Sequence, residues 1–416
     1  MTAAETLRPR VLIIGGGPAG LSAARALAPR VDGEVFVVDR EQTAGGIPRH
    51  SAHLGYGIRD LHRVMNGPAY AKRLVDHALG AGATVRTGAM VTDWAGDTSV
   101  YLTTPEGRIR VDATAVLLAT GARERPRAAR MIPGDRPAGV YTTGQLQNLV
   151  HLHHRAVGSR AVVVGAELVS WSAVLTLRHA GCVTALMVTR HASPESYAAF
   201  NLCGRALLRT RVATRSAVTR IIGHGQLQAI EIEDLDTGRR RTVECDTLVL
   251  TGDWIPDHEL ARAAGIDLDP GTRGPLVDTA LRTSRPGVFA AGNLVHAVDT
   301  ADVAALDGRH AASQIVSWLA GDRPPDDGIA IRTEEPFRWV SPNRLRAADP
   351  APARRRLLLW TDQLVRAPHV TITQNRHTLA SRRIPWPASP GRVFRLPWSM
   401  LSTHDPQGGP VTIRVA

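Results

Sequence analysis

Residues 11–24 read VLIIGGGPAGLSAA, and this stretch decides the fold. Four apolar residues, Val11 to Ile14, predict a strand buried on both faces. Gly15, Gly17 and Gly20 fit G-x-G-x-x-G, and a helix of small residues follows. In that pattern the first glycine permits a tight turn. The second lets main chain approach a pyrophosphate, and the third lets helix and strand pack closely. The helix N-terminus adds N–H donors and the positive end of a dipole. A second strand, Val35 to Val38, ends in Asp39, placed to accept from a ribose 2′-hydroxyl. Strand, turn, helix and acid together predict a dinucleotide across the mouth of a parallel sheet. A glycine-rich turn in an ordinary α/β domain is the structural alternative.

Working outward, the loop from Arg40 to Asp60 contains AGGIPRHSAHLGYGIRD and has no period. A helix is expected at about Pro68 to Leu79 and a strand at Thr84 to Arg86. Met90 to Trp94, Ser99 to Thr103 and Ile109 to Val111 read as a small meander. Ala115 to Ala119 is another buried strand, closed by Thr120 and Gly121, whose turn falls where ligands sit in open α/β sheets.

The pattern then repeats: strand Ala161 to Val164, a turn at Gly165, helix Leu168 to His179, strand Val183 to Val188. Here Glu167 replaces the glycine that should approach the pyrophosphate, and Ser170 replaces the third glycine. A carboxylate at that point repels phosphate. The next strand ends Thr189-Arg190-His191, with no acid for a ribose hydroxyl. Arg190 could select a 2′-phosphate, but only after the pyrophosphate binds. The second unit therefore reads as an intact fold and a poor nicotinamide site. A second meander follows at about 217–244, then Asp246 to Leu250, the segment TGDWIPD and a strand-and-turn PGVFAAGN at Pro286 to Asn293. A helix runs from about Thr300 to Leu319, and GDRPPDDG at 321–328 reads as a linker. The remainder is short β runs broken by proline, a small all-β domain with Trp339, Trp360, Trp386 and Trp398 in its core.

The expected fold class is thus α/β: two Rossmann-like dinucleotide-binding domains, the first discontinuous, with small β-meanders and a C-terminal all-β domain. The boundaries are 1–145, 146–275, 276–328 and 329–416. A chain of 416 residues can hold this many units.

The net charge of +12 does not mark a nucleic-acid binder, because the arginines are scattered and Lys72 is the sole lysine among 50 basic residues. The clusters Arg239 to Arg241 and Arg354 to Arg356 read as solvated faces or turns. Cys182, Cys203 and Cys245 form no C-x-x-C pair, so neither a metal centre nor a close redox dithiol is expected, and all three read as buried small residues. No apolar run reaches the roughly 18 residues of a membrane span. MTAAETLRPR has no signal-peptide core, so a cytoplasmic location is expected.

GGGPAG at 15–20, Asp39, ATG at 119–121 and AAGN at 290–293 together resemble the flavoproteins with two dinucleotide folds, the pyridine nucleotide–disulfide oxidoreductase superfamily. The resemblance covers about residues 9–320. It implies FAD in the first site and leaves NAD(P) disfavoured in the second by Glu167 and Ser170. It makes Gly15, Gly17, Pro18, Ala19, Gly20, Asp39, Arg40, Gly46, Ile47, Val91, Ala119, Thr120, Gly121, Gly292, Asn293, Thr300 and Ala301 the candidate cofactor contacts. Asn293 stands where the family usually has an acid, and the helix after Thr300 would aim its N-terminus at the flavin ring.

The disulfide branch carries its cysteines two and seven residues after the second glycine of the GG turn. Counted from Gly46, these positions are Pro48 and His53, so the disulfide is absent. The remaining pattern is similar to the flavin subunits of opine oxidase, hydrogen cyanide synthase and dye-linked amino-acid dehydrogenases. That similarity implies hydride removal from a small amine or amino acid through flavin N5, with a partner flavoprotein subunit or electron-acceptor protein, and an oligomer is compatible with it. His53 and His50 become candidate bases, with Ser51 and Tyr56 as neighbours. The alternatives are an NAD(P)H-dependent flavin reductase and a non-catalytic flavin-binding subunit.

Overall fold

The computed structural model describes residues 6–323, 328–347 and 349–416, apart from the side chain of Cys203. The expectations for that thiol and for the middle of the 321–328 linker fall outside the described residues.

A five-stranded parallel sheet forms the first fold, in the order Val288–Ala290, Ala115–Leu118, Val11–Ile14, Val35–Val38, Thr84–Arg86. Its central strand is completely buried, as an unbroken apolar run demands. Each such side chain contributes about 1.5–3 kcal/mol through burial. Helices Pro18–Leu27 and Ala301–Leu319 pack face to face. Gly308 lets their backbones touch, since a Cβ there would lie 2.0 Å from the Ala19 carbonyl oxygen. The meander is Met90–Trp94, Ser99–Thr104 and Gly107–Asp112, extended by an unforeseen edge strand, Thr6–Leu7.

The second fold repeats the plan in the order Val140–Thr142, Thr247–Leu250, Arg160–Val164, Val183–Val188, Val212–Ala213, with its own antiparallel three-stranded sheet. Val140–Thr142 pairs with this second sheet, while Ala261 and Ile266 pack into the core of the first. Two short antiparallel strands, Ala122–Glu124 and Trp254–Pro256, carry the chain between the folds. Helix Ala198–Leu208 was not anticipated. Asn201 and Gly204 weaken its helical signal, yet Gly204 is required, because a Cβ there would meet the Trp171 ring at 2.5 Å.

The tail forms two sheets of five and three strands around Leu357, Val370, Phe394 and Ile413. Trp339 and Trp360 stack at 6.2 Å, and Trp339 is buried. Trp386 departs from expectation: flanked by two prolines, it lies at the surface, 40% exposed. Arg239 to Arg241 lie on an exposed face, as expected, whereas Arg354 of the second cluster turns inward. Arg240 pairs with Glu231 and Glu233, and Arg354 reaches buried Asp307. Among the described residues, no helix is long and apolar enough to cross a membrane, and no group of His, Cys, Asp or Glu is placed to hold a metal. Cys182 and Cys245 are buried, and burial pushes their thiols up to about 11 and 12, which leaves them inert near neutrality.

Candidate active site

Space in the first glycine loop is distributed unevenly. Gly15 has φ +111°, and a Cβ there would lie 2.3 Å from the Ala119 carbonyl oxygen. A Cβ on Gly20 would lie 2.0 Å from the Gly15 oxygen. Both glycines are therefore demanded by packing. A Cβ on Gly17 would meet only the Gly46 Cα, at 4.0 Å. That glycine leaves open space rather than relieving a clash, which is what a close-lying pyrophosphate requires. Pro18 opens the helix, whose first turn holds no acid. Its positive end is free for an anion.

The other walls converge on this loop. The Gly45 N–H donates to the Gly16 oxygen at 2.7 Å, which brings Gly46 against Gly17 and leaves Ile47 exposed behind it. Asp39 accepts from the Gly16 and Glu41 N–H groups, each at 2.8 Å, and burial raises its carboxyl. Arg40 swings outward to Asp257, 3.4 Å away. Thr120 donates to the Asp257 carbonyl at 2.8 Å, and Gly121, at φ +78°, faces open space. Ala19 sits against Gly292, at φ +71°. Val91 is packed into the apolar core beneath the sheet.

Asn293 donates from Nδ2 to the Asp299 carbonyl at 3.1 Å, but its Oδ1 is buried without a partner. A buried acceptor in want of a donor is costly, and a ribityl hydroxyl would satisfy it. With the open space over Gly17 and the Asp39 carboxylate, this fits an FAD-sized dinucleotide. Thr300 is the N-cap of the helix that begins at Ala301, and Asp302 in its first turn is held by Arg59 at 3.0 Å.

The two candidate histidines differ. His50 is buried, and burial first, then neighbouring Arg49, push it down to about 4, so it is a neutral imidazole near pH 7. His53 is lowered by burial. Its Nδ1 lies 2.8 Å from the Leu54 carbonyl, and Nε2 lies 3.0 Å from Ser51 Oγ. A carbonyl can only accept, so the tautomer inferred from these partners carries its proton on Nδ1 and presents a lone pair at Nε2. Sequence reasoning missed Gln147, which donates to Ser172 at 2.7 Å and reaches Ser51 at 3.5 Å. It ties the second fold to the histidine loop. It also missed Asp257, which gathers Arg40 and Arg123.

The second glycine loop is filled. Gly165 keeps its left-handed turn at φ +125°. Glu167 is the N-cap of helix Leu168–His179 and is only 8% exposed. Glu195, 6% exposed, lies beside it and accepts from Thr189 at 2.8 Å. A turn of the tail closes over both: a Cβ on Gly391 would lie 2.6 Å from the Glu195 Cβ and 2.9 Å from the Glu167 Cβ. Burial and the Glu167 charge push Glu195 up to about 8. Because this lies above the ordinary 4.5, its stabilising contribution is complete below pH 4.5 and lost as pH rises through 8. The urea midpoint of the wild type is expected to fall over that range, and Glu195→Gln to remove the decline.

The family model for pyridine nucleotide-disulphide oxidoreductases matches residues 9–308. The chain belongs to this family. It is an FAD-dependent oxidoreductase of the two-Rossmann-fold type. The oxidoreductase is similar to the alpha subunit of sarcosine oxidase from Corynebacterium sp. (strain P-1), 29% identical over 262 residues, 59% of this chain and 26% of that one. It therefore spans about a quarter of that relative. It is 30% identical to the biphenyl dioxygenase system ferredoxin–NAD(+) reductase component of Paraburkholderia xenovorans, over 68% of this chain and 67% of that one. It is 27% identical to an opine oxidase subunit from Agrobacterium tumefaciens, over 73% of this chain and 64% of that one. The thioredoxin reductase structure from T. acidophilum superposes with a TM-score of 0.64 at 24% identity, covering 76% of this chain and 99% of that one.

Proposed function

We propose that this flavoprotein is a dehydrogenase or oxidase, or a subunit of one, that takes hydride from a small amine or amino acid. The observation that carries the proposal is the closed second glycine loop. Glu167 lies where a nicotinamide dinucleotide would need bare main chain, Glu195 adds a second acid, and Gly391 of the tail covers them. With that site filled, the reducing equivalents must come from a substrate beside the flavin. Two relatives whose names specify amine-type substrates, sarcosine and opine oxidases, support the class, and both are named as subunits of larger enzymes. As a dehydrogenase it would pass the electrons to an accepting partner, and as an oxidase to dioxygen.

Bound FAD supplies a two-electron acceptor at N5. The main chain at Gly17 and the Pro18 helix terminus would hold the pyrophosphate, Asp39 the ribose and Asn293 Oδ1 a ribityl hydroxyl. His53 Nε2 would accept the amine proton in place of its contact with Ser51 Oγ, while His50 stays neutral. The test is anaerobic mixing of the FAD-loaded chain with secondary amines, amino acids, NADH and NADPH. Loss of the oxidised flavin spectrum with an amine or amino acid is expected, and none with either pyridine nucleotide. Bleaching by NADH or NADPH would establish the reductase reading instead, and a flavin that nothing reduces would make the group structural. His53→Ala should retain FAD and slow reduction by substrate at least about tenfold. Unchanged reduction kinetics would remove His53 from the reaction.

A further inference from the structure

A concavity of about 410 Å³ is walled in part by helix Ala301–Leu319, and neither glycine loop contributes to its lining. It is lined by Arg25, Arg63, Arg73 and Arg309, with His62 and His77. The four arginines come from three helices and one loop: Pro18–Leu27, Gly67–Gly80, Ala301–Leu319 and the segment before Met65. Among the described residues, no carboxylate lies within ion-pair distance of any of the four.

The single acid in the lining, Asp60, attracts Arg309 but is one charge against four, so the lining stays net positive. Asp60 is 4% exposed, and its Oδ2 accepts from the Tyr70 hydroxyl at 2.7 Å. Arg309 meets only its main-chain oxygen, at 2.9 Å. The nearby Asp76 is taken by Lys72 at 2.8 Å. Arg25 is held against His77 Nδ1 at 3.2 Å, a contact that supplies no negative charge. Burial, then Arg25 and Arg73, lower the His77 imidazole, as expected where positive charge has accumulated. The loop wall is also fixed at a backbone cost. His62 has φ +54°, in the left-handed region, and the Leu61 and Arg63 N–H groups both donate to the Gly57 oxygen.

Like charges brought together by separate elements, in excess over their counter-charges, repel one another unless an anion joins them. Guanidinium groups are the donors best suited to planar, bidentate recognition of phosphate and carboxylate. A concavity of this volume suits a small molecule. We propose that this pocket binds a small polyanion carrying several phosphate or carboxylate groups, at a site separate from the flavin crevice. The inference does not depend on the substrate proposed above.

The experiment is calorimetric titration of inorganic triphosphate into the FAD-loaded full chain at low ionic strength. The loaded flavin site cannot then take the probe. Saturable one-to-one binding that weakens with added salt is expected. A parallel titration with citrate separates a polyphosphate preference from a polycarboxylate one. Arg25→Glu and Arg63→Glu alter exposed side chains, and each is expected to weaken binding at least about tenfold, with FAD content and thermal midpoint unchanged. No saturable binding of either probe, or binding that persists unchanged in both variants, would overturn the proposal. So would binding of poly-glutamate with neither small probe bound, since that assigns the face to an acidic protein.

Discussion

Gly17→Ala is expected to fold as the wild type does and to lose FAD, whereas Gly20→Ala is expected to lose stability. The two glycines lie three residues apart in one motif, but their surroundings are opposite. At position 20 a methyl group would stand 2.0 Å from the Gly15 carbonyl oxygen, a main-chain atom that cannot move without separating strand Val11–Ile14 from its helix. Overpacking of this kind costs about 3 kcal/mol. At position 17 the same methyl group meets one carbon at 4.0 Å and nothing else in the protein. Only the ligand would notice it. Displacing a pyrophosphate from the helix terminus forfeits one or two charge-assisted hydrogen bonds, a loss of about tenfold to a hundredfold in FAD affinity. Flavin content after purification, flavin titration of the apoprotein and urea denaturation of both variants measure these effects. Equal flavin content in Gly17→Ala and wild type would place the pyrophosphate elsewhere.

The second large effect is expected at Asp307. This carboxylate lies in the interior of helix Ala301–Leu319, accepts from His296 Nε2 at 2.5 Å, and is reached by Arg354 of the tail at 3.2 Å. Asp307→Ala leaves a buried imidazole and a half-buried guanidinium without their acid, at a cost of about 3 kcal/mol. Asp307→Asn keeps the volume and removes the charge, so it separates electrostatics from packing. Burial pushes the Asp307 carboxyl up, but His296 and Arg354 outweigh it and hold it below its ordinary 3.8. A lowered folded value means stability that is present above 3.8 and lost as pH falls towards the folded value. The urea midpoint of the wild type should therefore drop more steeply on acidification than that of Asp307→Asn. Parallel acid profiles would show that the pair does not carry the charge assigned to it.

What the sequence makes legible is local. Val11 to Gly20 can be read because buried strands are unbroken apolar runs and because each glycine answers a different steric demand. Glu167 and Ser170 can be read as damage for the same reason. The histidine loop could be located but not shaped. Its hairpin, Leu54–Tyr56 with Met65–Asn66, is too short to show a period. Gln147 carries no motif; it matters because folding brings it to Ser51 from far along the chain. The turn at Gly391 lies in a stretch of prolines and serines that reads as loop, and nothing in its composition announces that it fills another domain's ligand cleft. The charge scattered along the chain likewise concealed Arg25, Arg63, Arg73 and Arg309, which gather only in three dimensions.

The tail has a mechanical consequence. Arg395 grips Asp299 at 2.8 Å, one residue before the cap of the Thr300 helix, while Gly391, four residues earlier, is lodged against Glu167 and Glu195 of the other fold. A single short span of chain thus bolts both halves together across the thin two-stranded link at Ala122–Glu124 and Trp254–Pro256. Swinging one half relative to the other would require breaking a half-buried ion pair and withdrawing the turn in the same motion. Both contacts therefore oppose a rigid-body rotation of one half against the other.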